Sequence, residues 1–141
     1  MARKKVISLE EQFSGVLFGL VTQVKEYQLS WHLNRSLGLN LKRGEDIEIV
    51  HKKKKKTSIF SLYSHEDDLD KWMVYVISNK HTGDFLVPEV KQVDYFLMIR
   101  GEVSGQREQE MLDKLKSIQL IQLVVPLEYN KLKSKENLIV E

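Results

Sequence analysis

The chain has 141 residues, 42% of them hydrophobic and 30% charged, with a formal net charge of +2 and no cysteine. A chain of this size hides roughly two-thirds of its unfolded surface, enough for one α+β domain over residues 1–141, and its apolar content excludes disorder for the bulk of the sequence. The absence of cysteine excludes disulfides, thiolate metal sites and cysteine nucleophiles and fits a cytoplasmic protein, while the near-balanced charge excludes a general polycation.

The N-terminal residues begin with a basic stretch, as a secretory leader does. Glu10 and Glu11 then interrupt the apolar run before it reaches the usual length of about 7–15 residues. A flexible lead-in is expected there. Ser14 to Thr22 is short and apolar, a first strand, and Val16 to Val21 falls far short of the roughly 20 residues that cross a bilayer. No membrane association is expected.

From Val24 the period becomes helical. Lys25, Gln28, His32, Arg35 and Ser36 share a polar stripe, and Tyr27, Leu29, Trp31, Leu33 and Leu37 occupy a wide apolar arc. Such an arc predicts a helix buried on most of its circumference. Gly38 stands where a left-handed C-terminal cap is expected.

Strand signals follow at Ile47–Val50, at Thr57–Ser64 and at Trp72–Ile77, the last apolar on both faces and therefore central. Asn79 to Gly83 is turn chemistry. Val93–Ile99 predicts another strand, and Gly101–Gly105 a strand-to-helix turn. Met111, Leu112, Leu115 and Ile118 have the spacing of a second buried helical stripe. Leu120–Leu127 predicts a last strand that stops near Pro126. The predicted order is β-α-β-β-β-β-α-β, a mainly antiparallel sheet of about five to six strands packed against two helices. A basic and apolar tail follows Tyr129 and either docks back on the sheet or pairs with another copy.

Few residues suggest chemistry. Lys52, Lys53, Lys54, Lys55 and Lys56 form an unbroken basic run, which reads either as a phosphate-binding patch or as a solvated hairpin tip. No arginine or aromatic interleaves with it, so the tip is favoured. The four histidines lack zinc-site spacing, and the acids Glu66, Asp67, Asp68 and Asp70 lack the calcium-loop pattern. Nucleophile-elbow, P-loop and dinucleotide motifs are absent from the sequence. No catalytic, metal or cofactor-binding residue is assigned.

The residues Val87-Pro88-Glu89, three intervening positions, and Val93-Asp94-Tyr95 resemble the signature of the IPExxxVDY family of small bacterial proteins, with valine in place of isoleucine. The segments around Trp31–Asn34, Leu37–Leu41, Tyr95–Ile99 and Leu132–Ile139 are also similar to that family, so the resemblance extends over nearly the whole chain. It implies a housekeeping context and carries no activity with it. Physically, Pro88 suits a strand edge or a turn, Glu89 can accept from backbone amides, and Asp94 must be exposed or paired. These acids either lock the architecture or line a pocket beside Tyr95; the lock is favoured. Three functions compete: a non-catalytic binding or assembly module, with a protein partner or self-association; a nucleic-acid-binding module using Lys52–Lys56; and an enzyme with Glu89, Asp94 and His81 near one cleft. The first is preferred and the second is the alternative.

Overall fold

The computed structural model describes residues 13–138. The expected leader-like and flexible N-terminal residues lie outside the described part, as does the end of the apolar tail. Ten strands and two helices follow one another: β1 (Gly15–Thr22), α1 (Glu26–Leu37), β2 (Lys42–Arg43), β3 (Ile47–His51), β4 (Lys56–Phe60), β5 (Leu62–Asp67), β6 (Trp72–Ser78), β7 (Lys80–His81), β8 (Asp84–Phe85), β9 (Tyr95–Arg100), α2 (Gly105–Lys116) and β10 (Ile121–Leu127). Six strands form one antiparallel sheet in the order β10-β1-β9-β6-β5-β2. The α+β architecture with two helices on an antiparallel sheet is as the sequence pattern predicts.

The sheet is covered on both faces, because its central strands are apolar at consecutive positions and the pleat sends alternate side chains to opposite sides. Phe18, Leu20, Val74, Val76, Leu97 and Ile99 face Leu29 and Leu33 of α1 and Met111 and Leu115 of α2. Leu17, Tyr75, Ile77, Phe96 and Met98 face the other way. The cover on that second face is not helical. It consists of the β3–β4 hairpin through Ile47, Ile49 and Phe60, the loop carrying Leu86, Val87 and Val93, and the tail through Leu132 and Leu138.

Several details depart from the sequence reading: β2, β7 and β8 were not expected as strands, and β3 pairs with β4 outside the six-stranded sheet. The predicted Thr57–Ser64 strand is two strands divided at Ser61, since Phe60 belongs to the hairpin layer while Leu62 already pairs with Ile77 in the main sheet. The wide apolar arc of α1 is not buried: Tyr27 is 59% and Trp31 55% exposed, and only Leu29, Ser30 and Leu33 are buried. A helix lying on an outer layer needs one stripe against the sheet, and Leu29 and Leu33 supply it. Gly38 does provide the left-handed cap, at φ 69°, with its N–H donating to Asn34 O.

The last strand, Ile121–Leu127, ends one residue past Pro126, within its expected bounds. The carbonyls of Ser14 and Leu20 accept from Gly101 and Asp94 on the β9 side, so even-numbered residues of β1 direct their backbone groups away from β10. Pro126 pairs with Phe18, so its missing N–H faces the outer edge and costs the ladder nothing. This strand has no charged residue, and the proline and the irregularity opposite Val21–Thr22 are what blunt its edge.

Thr82 and Gly83 form the two-residue turn between β7 and β8, with φ 41° and 84°. Glycine tolerates that region, but a β-branched threonine is strained in it. Thr82→Asn is expected to stabilise the protein by about 1 kcal/mol, because asparagine tolerates the left-handed conformation that this turn type requires. Thermal unfolding reads the change, and an unaltered or lowered midpoint would mean that the threonine side chain makes up for its backbone.

Candidate functional site

The Val87–Tyr95 segment is organised by Asn79, a side chain with no exposure at all. Asn79 Nδ2 donates to Val93 O at 2.9 Å and Val90 O at 3.1 Å, and its Oδ1 accepts from Val87 N at 2.8 Å. Its own backbone accepts from Leu86 N and donates to Asp94 O. A buried loop must satisfy its backbone polar groups without water, and one amide serves three of them here. The sequence reading missed this residue by placing it in an exposed turn. The available signal was an asparagine directly after a strand apolar on both faces, where water is excluded.

Within that frame the apolar members face inward. Val87 and Val93 are fully buried, and Val93 packs where Gly19 leaves room on β1: a Cβ there would sit 2.7 Å from Val93 Cγ2. Pro88 opens a short 3-10 turn, Pro88–Val90, at the position where a missing N–H is harmless.

Glu89 reaches the tail: Ser134 donates from its backbone N to Oε2 at 2.7 Å and from Oγ to Oε1 at 2.9 Å. Burial pushes this carboxyl up, but the Ser134 amide and hydroxyl outweigh it and hold the group below its ordinary 4.5. Asn137 Nδ2 donates to Leu86 O at 2.8 Å, so the tail is fastened at two points to the start of the loop.

Asp94 stands just before β9. It accepts from Thr22 N at 2.9 Å and pairs with the Lys80 ammonium, so it has the backbone partner and the cation that a partly buried carboxylate needs. Tyr95 is 8% exposed and its hydroxyl donates to Val24 O at 2.8 Å, tying β9 to the segment that leads into α1. Burial pushes the phenol up to about 12, so it is a neutral donor at any physiological pH.

Glu89 and Asp94 therefore bind different elements, the tail and the end of β1. His81 goes elsewhere again: its Nδ1 accepts from Ile59 N at 3.3 Å, and its ring meets Phe60 edge-on at 6.0 Å. The three residues considered for an enzyme do not bond to one another among the described residues.

A second polar cluster joins the β3–β4 hairpin to β8. Ser58 Oγ donates to Asp84 Oδ2 at 2.7 Å, His51 Nε2 lies 3.0 Å from the same Oγ, and Lys56 Nζ is 2.8 Å from Asp84 Oδ2. Hydrogen bonds to Lys56 first, and then to Ser58, hold the Asp84 carboxyl down at about 2 against the opposing effect of burial. The types found in a serine hydrolase are present, but in an order that does not activate the serine. Its single proton is already given to a very weak base, and Ser58 is 1% exposed.

The sequence reading missed Ser58 and Asp84. No spacing marks them, because they lie 26 residues apart. Their bonds, with those of Glu89, are acid-labile. Both carboxyls titrate lower in the folded chain than in the unfolded one, so their contribution is complete above about pH 4.5 and is lost as pH falls towards 2. The cover on the non-helical face should loosen in that window. Glu89→Gln with Asp84→Asn should flatten the pH dependence of unfolding, and an unchanged acid profile would assign it to other carboxylates.

The lysine run divides in two. Lys52 to Lys55 form the exposed β3–β4 turn, and Lys56 begins β4 and is paired with Asp84. The acidic residues flank the turn into β6: Asp67 accepts from Asp70 N, and Asp70 pairs with Arg107, which lies over the Trp72 ring. No group of acids and histidines among the described residues is arranged to hold a metal ion.

Between the helices and the sheet a small cleft of about 120 Å³ has an apolar floor of Leu37, Leu39, Val74 and Met111 and a charged rim at Arg107, Glu110 and Lys114. No helix among the described residues is long and apolar enough to cross a membrane. No protein-family model, no curated protein and no solved structure matches this chain.

Proposed function

We propose that this protein is a cytoplasmic, non-catalytic binding or assembly module, and that its Val87–Tyr95 segment makes it a member of the IPExxxVDY family of small bacterial proteins. One observation carries the functional part. The polar groups with the greatest chemical potential in that segment are each bound within the chain: Glu89 by Ser134, Asp94 by Thr22 and Lys80, Tyr95 by Val24. A general acid or base would need a free lone pair or proton facing a substrate.

The test compares the purified protein with the same protein in native extract of its host by particle size. The expected result is a larger species in extract that survives nuclease treatment. A particle of monomer size in both settings overturns the reading.

Nucleic-acid binding is the second reading, favoured by the four exposed lysines at the tip of the β3–β4 hairpin. With Lys56 already paired, four phosphate contacts are available, and log affinity should fall against log salt with a slope of roughly −3 to −4. A flat salt response, or no change on replacing Lys52–Lys55 by serine, removes it.

A further inference from the structure

The outer face of α1 is not explained by folding. Leu29 and Leu33 make the contact with the sheet, yet Tyr27 and Trp31, one turn apart on the opposite side, are more than half exposed. Arg35 continues the row, with its guanidinium 4.8 Å from the Trp31 ring centre, and His32 meets the ring edge-on at 4.9 Å. Trp31 is thus held in place before anything binds, which lowers the ordering cost of an interface. Tyrosine, tryptophan and arginine are the residue types that dominate binding energy at protein interfaces.

The exposed charge of α1 and its N-cap is one-sided. Between residues 23 and 36 the exposed side chains include Lys25 and Arg35 but no carboxylate, since Glu26 is half-buried. On α2, by contrast, exposed acids and bases alternate, as at Arg107, Glu110, Asp113 and Lys114. Two copies of the α1 face brought together would oppose like charges, so a second copy does not suit it. A single-stranded nucleic acid suits it poorly as well. Such a site needs cations tracking the backbone beside free aromatic faces, whereas Arg35 covers one face of Trp31. The exposed lysine turn belongs to the hairpin on the opposite side of the sheet.

We propose that the α1 face formed by Tyr27, Trp31 and Arg35 docks an acidic segment of a partner protein, with apolar side chains of that segment against the two rings and its carboxylates towards Arg35. This rests on the reading of the chain as a binding module and names the surface and the chemistry of the partner.

The test places a photo-crosslinking amino acid at Gln28, exposed beside Trp31 and Arg35, and in a separate variant at Lys54 in the distant hairpin turn. Both full-length proteins are irradiated in cells of the host, and the joined peptides are sequenced. The expected result is an adduct from position 28 to a segment of net negative charge, reduced at least tenfold by Arg35→Glu or Trp31→Ala. Thermal unfolding verifies that these two exposed substitutions leave the fold intact. An adduct to a neutral or basic segment, to nucleic acid or to a second copy overturns the proposal, as does a yield indifferent to Arg35→Glu. Adducts from position 54 alone overturn it while leaving the binding module standing, and no adduct from either position overturns both.

Discussion

Asn79→Ala is expected to lower the stability by about 3–5 kcal/mol, which corresponds to a fall of roughly 10–15 °C in Tm for a chain of this length. Alanine keeps the two backbone hydrogen bonds of position 79 but leaves Val87 N and Val93 O without their side-chain partner, and it opens a void in a fully buried place. A buried donor or acceptor stripped of its partner costs about 1–3 kcal/mol, and the lost packing adds to that. Asn79→Asp should be as harmful, because it replaces the donating Nδ2 by an oxygen facing two carbonyls and places a charge where water does not reach. Chemical denaturation of the three proteins measures this. A loss below about 1 kcal/mol for alanine would mean that the loop holds its shape without the amide.

Leu138→Ala is the second large effect, about 2–3 kcal/mol. Leu138 is fully buried in the apolar cluster on the non-helical face, although it belongs to a tail outside the sheet and the two α-helices. Were such a tail loosely held, an alanine there would be nearly neutral. The Ser134–Glu89 and Asn137–Leu86 hydrogen bonds pin this tail to the loop, so the leucine should behave as a core residue. Amide hydrogen exchange provides a second readout: Leu86 and Val87 should lose protection in the variant. If denaturation and exchange are both unchanged, the tail docks without contributing to the fold.

These two predictions concern one device. The Val87–Tyr95 segment lies between the sheet and the tail, with Asn79 beneath it and Ser134 above. Its acids act as hooks, Glu89 to the tail and Asp94 to the end of β1, while the Tyr95 hydroxyl ties β9 to the chain ahead of α1. An arrangement of this kind ties each of these polar side chains to a particular partner in the fold. The exposed Tyr27 and Trp31 of α1 lie on the far face of the sheet from this segment.

Apolar spacing determined β1, β6, β9, β10, the two helices and the α+β class, because it follows directly from backbone geometry, and the glycine at position 38 marked the helix cap. By contrast, β2 has no apolar spacing to read, and the β4–β5 division was not marked. Apolar spacing also marked β6 as central, since only a strand covered on both sides can be apolar at consecutive positions. It could not say what covers the second face. That cover is assembled from short hairpins, a loop and a tail whose side chains find partners far along the chain, 45 residues away for Glu89 and Ser134 and 72 for Asp94 and the Thr22 amide, and no local pattern records such pairings. For the same reason Asn79 looked like a turn residue and Tyr27 and Trp31 looked like core. An aromatic at helical spacing is equally suited to either side of a helix, and only the number of layers packed around it decides between burial and exposure. That Pro126 costs the ladder nothing is decided likewise, by which side of β10 has a neighbour.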